Sequence, residues 1–447
     1  MKKSYTKILC VVMAFAFIVS FTACGANTSS QDSTSSQTAE QTTAVAAADS
    51  TQPAQVTLKL WQIWSADSES NKKPFAKVLA DFQAKYPNIK LEVDANEAQA
   101  YQTKIKTAVA ADEMPDVFYT QAAGFMQPFV EAGKVLALDD YLKDGTMDRI
   151  IPGTLTNMTF DGKVYGLPYT LACAVFFVNK EMFDQNGIKI PTNWSELTTA
   201  VKAFRGKGIT PMALGAKDLW PSTQYFDIIA VRDAGYQPVA DALMKKGNFE
   251  DPGILDAAKK FKELVDLKAF PDGTLGLTRD ESEVPFYEGK IPMYVNGNWT
   301  CANIQKEDSK VKGKIEALKF PLIEGGKGDI NDFTGGAAEC FAVSANTKYK
   351  DEATTLVKYI AENHSREAYL AGAGMPTWKM SVDESQIDPL IQQVVKNTSE
   401  AKTFTLWWNT QLTGKDMDLY QNELVNLIAG KDTPEQFCKN LQTIEGK

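Results

Sequence analysis

The chain of 447 residues has one histidine, His364. That excludes a multi-histidine metal site and an HExxH helix, and any Ser-His-Asp or Cys-His mechanism would have to run through this one side chain. No GxSxG motif accompanies it, so His364 reads as structural, lying between two helices with Ser365 capping the second. Arginine is scarce, with five residues (Arg149, Arg205, Arg232, Arg279, Arg366). Bidentate recognition of phosphate or carboxylate is therefore thinly supplied. No Lys/Arg-rich run occurs. The net charge is −9, and because the first 23 residues hold three lysines and no acid, the remainder carries −12. An acidic body without clustered cations is a poor nucleic-acid binder. Of six cysteines, none forms a CxxC motif. Cys173, Cys301, Cys340 and Cys438 allow three pairings, among which the sequence does not choose, and small buried side chains are the simplest reading. Asp329-Ile330-Asn331-Asp332 faintly suggests a calcium loop but lacks its glycine and closing glutamate. No metal and no cofactor is expected.

The N-terminus is informative. Met1–Lys7 is short and basic, and Ile8–Ala23 is an apolar run ending in small residues, so residues 1–23 read as a signal peptide too short to span. Phe21-Thr22-Ala23-Cys24 resembles the bacterial lipobox. The resemblance implies cleavage before Cys24 and diacylglycerol on its sulfur, an anchor to the extracellular face of the cell membrane. Of residues 25–55, 24 of 31 are Ser, Thr, Gln or Ala, with no aromatic, Leu, Ile, Lys or Arg. Such a stretch cannot bury enough apolar surface to order itself, so residues 24–55 read as a lipidated cysteine and a flexible tether.

From residue 56 strands and helices alternate. Val56–Trp64 has period two. Pro74 opens a helix with Phe75, Val78, Leu79 and Phe82 on one face. Ile89–Val93 and Asp116–Thr120 read as strands around a helix over Tyr101–Ala111. Further strands are expected at Lys163–Tyr169, Ala174–Asn179, Ile291–Val295 and Cys340–Ser344. Helices are expected at Thr192–Phe204, with Thr192 as N-cap, at Ile254–Leu267 and at Asp351–Glu362. Thr433-Pro434-Glu435-Gln436 reads as a capping box. The β-α-β-α-β order calls for a mostly parallel sheet. Glycine- and proline-rich strand ends at Gly166–Pro168, Gly335-Gly336 and Gly372–Pro376 fall where one block gives way to another, as two lobes joined by several strands require.

Several stretches carry a resemblance: TLKLWQIW, MPDVFYT with GKVLALDDYL, DGKVYGLPYT, FYEGKIPMYVNGNWT, TGGAAECFAVSANTKYKDEATTLVKYI and LIAGKDTPEQF. In this order and spacing the chain resembles bacterial extracellular solute-binding proteins of family 1, the ABC-importer receptors that include maltose-binding protein, over Leu58 to Gln442. The resemblance implies an α/β, two-lobed periplasmic-binding-protein-like fold of type II with a ligand cleft and three hinge crossings, near Tyr169–Ala172, Leu318–Pro321 and Ala371–Pro376. The N-terminal lobe would comprise residues 56–170 and 320–372, and the C-terminal lobe residues 171–319 and 373–447. It further implies a monomeric, non-enzymatic receptor that passes a carbohydrate to ABC permease transmembrane subunits. A surface glycan-cleaving enzyme with paired carboxylates, or a receptor for a cation such as a polyamine, are the readings from other classes.

A sugar site needs flat aromatic rings and polar side chains, and α/β ligand sites form at strand C-terminal ends. Trp64, Tyr119, Thr120 and Tyr169 end strands. Trp299 follows Asn296-Gly297-Asn298, a sharp turn in which Gly297 suits positive φ, and it matches the family's ligand-stacking tryptophan. Trp220 sits in the loop KDLWPST. Of Trp407 and Trp408, adjacent and so pointing apart, one faces the cleft; Trp408 is the candidate. Glu97, Gln62, Asn296, Gly335, Gly336 and Glu339 complete the set. Trp61 and Trp194 read as packing residues, and Trp378 is undecided.

Overall fold

The computed structural model describes residues 54–444. The expected signal peptide, the expected lipidation at Cys24 and the expected tether as far as residue 53 lie outside the described residues. Two mixed sheets organise the rest. Strands β1 (Val56–Gln62), β2 (Ile89–Ala95) and β3 (Val117–Gln121) run parallel. A short hairpin, β4 (Thr159–Phe160) and β5 (Lys163–Val164), precedes β6 (Leu167–Pro168), β7 (Thr170–Asn179), β8 (Met293–Gly297) and β9 (Ile315–Leu318). Then come β10 (Asp332–Gly336), β11 (Glu339–Val343), β12 (Met375–Pro376) and β13 (Thr403–Thr405). The first sheet has the order β2-β1-β3-β11-β6; the second has β12-β7-β10-β13, with β8 and β9 also paired to β7.

Alternation builds the first sheet. In β1, Val56, Leu58, Leu60 and Gln62 point inward, and the helix Lys72–Lys85 covers them with Phe75, Val78, Leu79 and Phe82. The helix begins two residues before Pro74, which sits in its first turn, where a missing N–H costs nothing. The expected strand Lys163–Tyr169 is broken into β5 and β6. The helix after Thr192 is capped by Asn193 instead, whose side-chain oxygen accepts from Glu196 N at 2.9 Å. Of the expected box at Thr433, the cap is seen: Thr433 Oγ1 accepts from Gln436 N at 3.2 Å.

The chain passes between sheets at Tyr169, between β6 and β7, and at 371–376, between the helix Lys350–Leu370 and β12. The middle passage corrects the expectation. Leu318–Pro321 stays with the second sheet, where β9 pairs with β7, and the chain crosses at Ala337-Ala338 between β10 and β11. The Gly335-Gly336 pair marks it: a Cβ on Gly335 would lie 2.2 Å from Ala172 O, so the close approach of β10 to β7 requires glycine.

A second correction concerns His364. The helix Lys350–Leu370 runs through it without a break. His364 and Ser365 are fully buried, and Ser365 Oγ accepts from Thr377 N at 3.0 Å instead of capping a helix. The imidazole packs on Trp64, Phe75 and Tyr169 at centroid distances of 4.9, 5.4 and 5.0 Å. Loop Asp329–Asp332 wraps Arg232, whose Nη1 donates to Asp329 O at 2.8 Å and Asp332 O at 2.5 Å. Trp194 and Trp378 are structural: their indole N–H groups donate to Glu263 Oε2 at 2.9 Å and Pro168 O at 2.8 Å. Trp61 is half-buried beneath Lys104 Nζ, 4.1 Å from its ring centre. Cys173, Cys301, Cys340 and Cys438 are all free and buried.

Burial pushes the pKa of His364 from 6.5 down to about 3. Between those values the unfolded chain takes up a proton that the folded chain refuses, so stability falls as pH drops through this window. Relative to His364→Phe, the native protein should lose up to about 1.4 kcal/mol per pH unit below pH 6.5. Urea titrations of both proteins at pH 7, 5.5 and 4 measure this; a constant difference would refute it.

Candidate functional site

Between the two sheets lies a cavity of about 260 Å³. Its first wall comes from the β1 side: Trp64, Glu69, Asn71, Glu97, Gln102, Tyr119 and Gln121. Its second wall comes from the β7 side: Asp218, Trp220, Gln224, Arg279, Asp280, Trp299, Trp407 and Asn409. Thr170, Ala172, Ala338, Glu339 and Ala373, at the crossings, close the floor.

The second wall is aromatic. Trp299 and Trp220 meet edge to face at 6.3 Å, and Trp299 and Trp407 lie tilted at 5.8 Å. Trp299 is held by its turn. Asn298 Oδ1 accepts from Cys173 N at 3.2 Å, and Asn298 N donates to Cys173 O at 2.9 Å, so the turn is fastened to β7. Gly297 is needed here for a reason other than the expected one. It is absent from the residues with positive φ; instead a Cβ would lie 2.1 Å from the Trp299 ring, which folds back over it.

The first wall is polar. Glu97 caps the helix Ala98–Ala111, accepting from Gln99 N at 2.9 Å and Ala100 N at 3.1 Å. Tyr119 donates to Glu339 Oε1 at 2.5 Å, and Tyr169 donates to the other oxygen of the same carboxylate. Burial raises the pKa of Glu339, against the pull of the two phenols. Trp64 is mostly core, edge-on to Phe75 and Tyr169 at 4.7 and 5.5 Å, and shows one edge to the cavity.

Polar groups without partners cluster in this cavity. Among the described residues, the side-chain oxygens of Asn71, Gln102, Gln121, Gln224 and Asn409 are buried without a hydrogen bond, as is Trp407 Nε1. An unmade buried hydrogen bond costs about 1–3 kcal/mol. Six on facing walls of one cavity are the mark of a site that waits for a ligand carrying donors and acceptors.

Charge is lopsided. Glu69, Glu97, Asp218, Asp280 and Glu339 line the cavity, and Arg279 is its one cation. Arg279 opens the helix Arg279–Tyr287, which a capping box starts: Thr278 Oγ1 accepts from Glu281 N and Thr278 N donates to Glu281 Oε2, at 3.2 and 2.8 Å. Burial opposes the charge of Arg279, but Glu283, Glu69 and Asp280 outweigh it and raise its pKa. Burial raises the pKa of Asp218, and Glu97 adds to the rise.

Trp299, Trp220, Trp64, Tyr119, Glu97 and Glu339 thus come together around one cavity. The other candidates do not reach it. Thr120 alternates to the opposite face of β3 from Tyr119 and Gln121, where it is fully buried. Gln62 turns back to accept from Trp64 N. Tyr169 lies behind Glu339. Asn296 points into the core, donating to Glu283 Oε1 at 3.0 Å and Tyr294 Oη at 2.7 Å. Gly335 and Gly336 serve the strand approach described above. Trp408 packs edge-on against Phe226 at 5.2 Å while its backbone N–H donates to buried Asp227, leaving Trp407 for the cavity. Glu69, Asn71, Gln102, Gln121, Asp218, Gln224, Arg279, Asp280 and Asn409 were not expected. Two had a usable signal: Gln121 lies two residues beyond Tyr119 on the same strand face, and Asp218 two before Trp220.

A cavity walled by two sheets and floored by the strands that pass between them fits the fold of the two-lobed, type II binding-protein class. Comparison with known proteins makes this specific: residues 65–367 match the family described as bacterial extracellular solute-binding protein, and the chain belongs to that family. A solved structure from work on xylan utilisation by the thermophilic bacterium Caldanaerobius polysaccharolyticus is similar at 43% identity and a TM-score of 0.84, covering 86% of this chain and 99% of that one. The multiple sugar-binding protein of Streptococcus mutans is 26% identical over 350 residues, 75% of this chain and 79% of its own length. An uncharacterized ABC transporter extracellular-binding protein of Pyrococcus horikoshii is 23% identical over 403 residues, 89% of this chain and 86% of its own.

Gly297→Ala should drive the Trp299 ring off the cavity wall. Near-ultraviolet circular dichroism should change while the far-ultraviolet spectrum stays the same; an unchanged near-ultraviolet signal would show that the ring does not rest on Gly297.

Proposed function

We propose that this chain is a lipid-anchored receptor that captures a neutral oligosaccharide between its lobes and delivers it to an ABC permease, making and breaking no bond. One observation carries the ligand class: three adjoining indoles, Trp220, Trp299 and Trp407, face amide oxygens that have no partner. A sugar's C–H faces fit the rings, and its hydroxyls supply the missing donors. The acidic residues are also hydroxyl acceptors, and the single cation is already engaged by carboxylates, so an anionic ligand finds no free counter-charge. The relative from work on xylan utilisation makes xylan-derived oligosaccharides the first ligands to try. Family membership and the sugar-binding and ABC-transporter relatives support the importer role, and the lipobox-like Phe21–Cys24 supports the anchor.

The binding test is a thermal-shift screen with xylo-, cello-, malto- and chito-oligosaccharides, since a ligand of the native state raises stability by mass action. Xylo-oligosaccharides should raise the melting temperature and lower the radius of gyration. Trp299→Ala should weaken binding of the best glycan about thirtyfold, the equivalent of about 2 kcal/mol for a buried aromatic anchor. Trp194→Ala should lower stability and leave affinity nearly unchanged. No shift with any glycan, or release of cleaved product, would overturn the reading.

Anchoring has its own test. Cys24→Ala should leave the protein unprocessed or release it to the medium; a variant still lipid-modified and membrane-bound would refute the lipobox.

A further inference from the structure

The mouth of the cavity is bridged by charge. Loop 65–71, between β1 and the helix Lys72–Lys85, belongs to the first sheet's side, while the helices Arg279–Tyr287 and Thr300–Ile304 belong to the second. Arg279 Nη2 lies 3.1 Å from Glu69 Oε1, with side chains 14% and 19% exposed. Beside this pair Ser68 Oγ donates to Asp280 Oδ2 at 2.7 Å. Asn303 Nδ2 donates to Ser68 O at 2.9 Å, and Lys306 Nζ to Asp67 O at 3.2 Å. Four side chains from one lobe thus hold one loop of the other.

Arg279 also faces the aromatic wall. Its guanidinium carbon is 5.9 Å from the centre of the Trp220 ring, and Trp220 leans on Trp299. The Arg279 backbone N–H donates to Asp218 Oδ2 at 2.7 Å, which fixes the loop carrying Trp220. A single residue therefore joins an ion pair across the cleft to the rings on the far wall. Five carboxylates line the cavity, and bringing the walls together concentrates like charge. The cation that offsets it sits where the lobes meet.

We infer that Arg279 is the positioning residue that couples cleft closure to alignment of the tryptophan wall, acting through its pair with Glu69. This rests on the reading of the cavity as the ligand site. Three consequences follow from the geometry. Affinity for an uncharged glycan depends on ionic strength, because the closed mouth is held by an ion pair to which the ligand brings no charge. Loss of the pair speeds dissociation, because the walls that it holds together must part to release the ligand. Glu69 and Arg279 act as one unit.

The test is a double-mutant cycle with Glu69→Gln, Arg279→Gln and both, on glycan dissociation measured by stopped-flow tryptophan fluorescence. Each single variant should dissociate about tenfold faster, and the double variant no more than about threefold faster than the worse single, as coupled residues behave. Native affinity should fall about threefold between about 0.01 M and about 1 M salt, while Glu69→Gln stays flat. Arg279→Lys should keep the salt dependence and lose part of the affinity, because a point charge replaces the planar fork over Trp220. Rates that multiply in the double variant, or equal salt dependence in Glu69→Gln, would overturn the inference. If Arg279→Gln fails to fold, the Glu69→Gln and Arg279→Lys results decide alone. A separate measurement needs no glycan: spin labels on Lys73→Cys and Asp308→Cys report the distance across the mouth. Glu69→Gln should deplete the short distances, and an unchanged distribution overturns the inference whichever ligand the cavity takes.

Discussion

Strand β7 is the constraint on which the rest depends. Its first four residues pair with β12 and β10, and its last six with β8 and β9. Each partner delivers something to the cavity. β12 follows Ala373 on the floor; β10 leads into Ala338 and Glu339; β8 ends at the turn that carries Trp299. Asn298 then bonds back to the β7 backbone at Cys173, so the tryptophan wall is tied to the strand from which the second sheet starts. A register shift in β7 would turn every one of these groups to the wrong face at once.

What the amino acids revealed was set by the range of the interaction. Local periodicity located β1, β3, β7 and their covering helices to within a few residues, because alternation and helix faces are written in consecutive positions. The glycine pair at 335–336 also marked a crossing correctly, whereas the resemblance to the family put that crossing at Leu318–Pro321. The same pair was expected at the ligand; glycine announces a close approach without saying what approaches, and at Gly335 it is Ala172. Trp299 was legible because a strand end and a turn place it. Trp407 and Trp408 were not separable, since what distinguishes them is packing of the Trp408 ring on Phe226 and Phe249, more than 150 residues away, and on Tyr420. Arg279 was missed altogether. Its meaning lies in a pair with Glu69, 210 positions earlier, and no local pattern records that.

The cavity sets an open polar surface against a tight apolar one. Behind Tyr119 and Glu339 stand Trp64, Phe75, Tyr169, Phe341 and His364, packed ring on ring and closed to water. Such a backing holds the first wall's polar tips in place with little freedom left to lose on binding, which is how preorganisation raises affinity. The amides of Asn71, Gln102 and Gln121 belong to the same wall, and they have no partner within the protein.

The four buried thiols have a consequence of another kind. None is bonded to another, and burial pushes the pKa of Cys173 and of Cys438 up to about 12. Exchange and oxidation proceed through the thiolate, which such groups hardly form at neutral pH. Residues 54–444 therefore hold their fold without a cross-link between these cysteines. A reducing medium has no disulfide to break among these four cysteines, and the folded core keeps their sulfurs out of exchange.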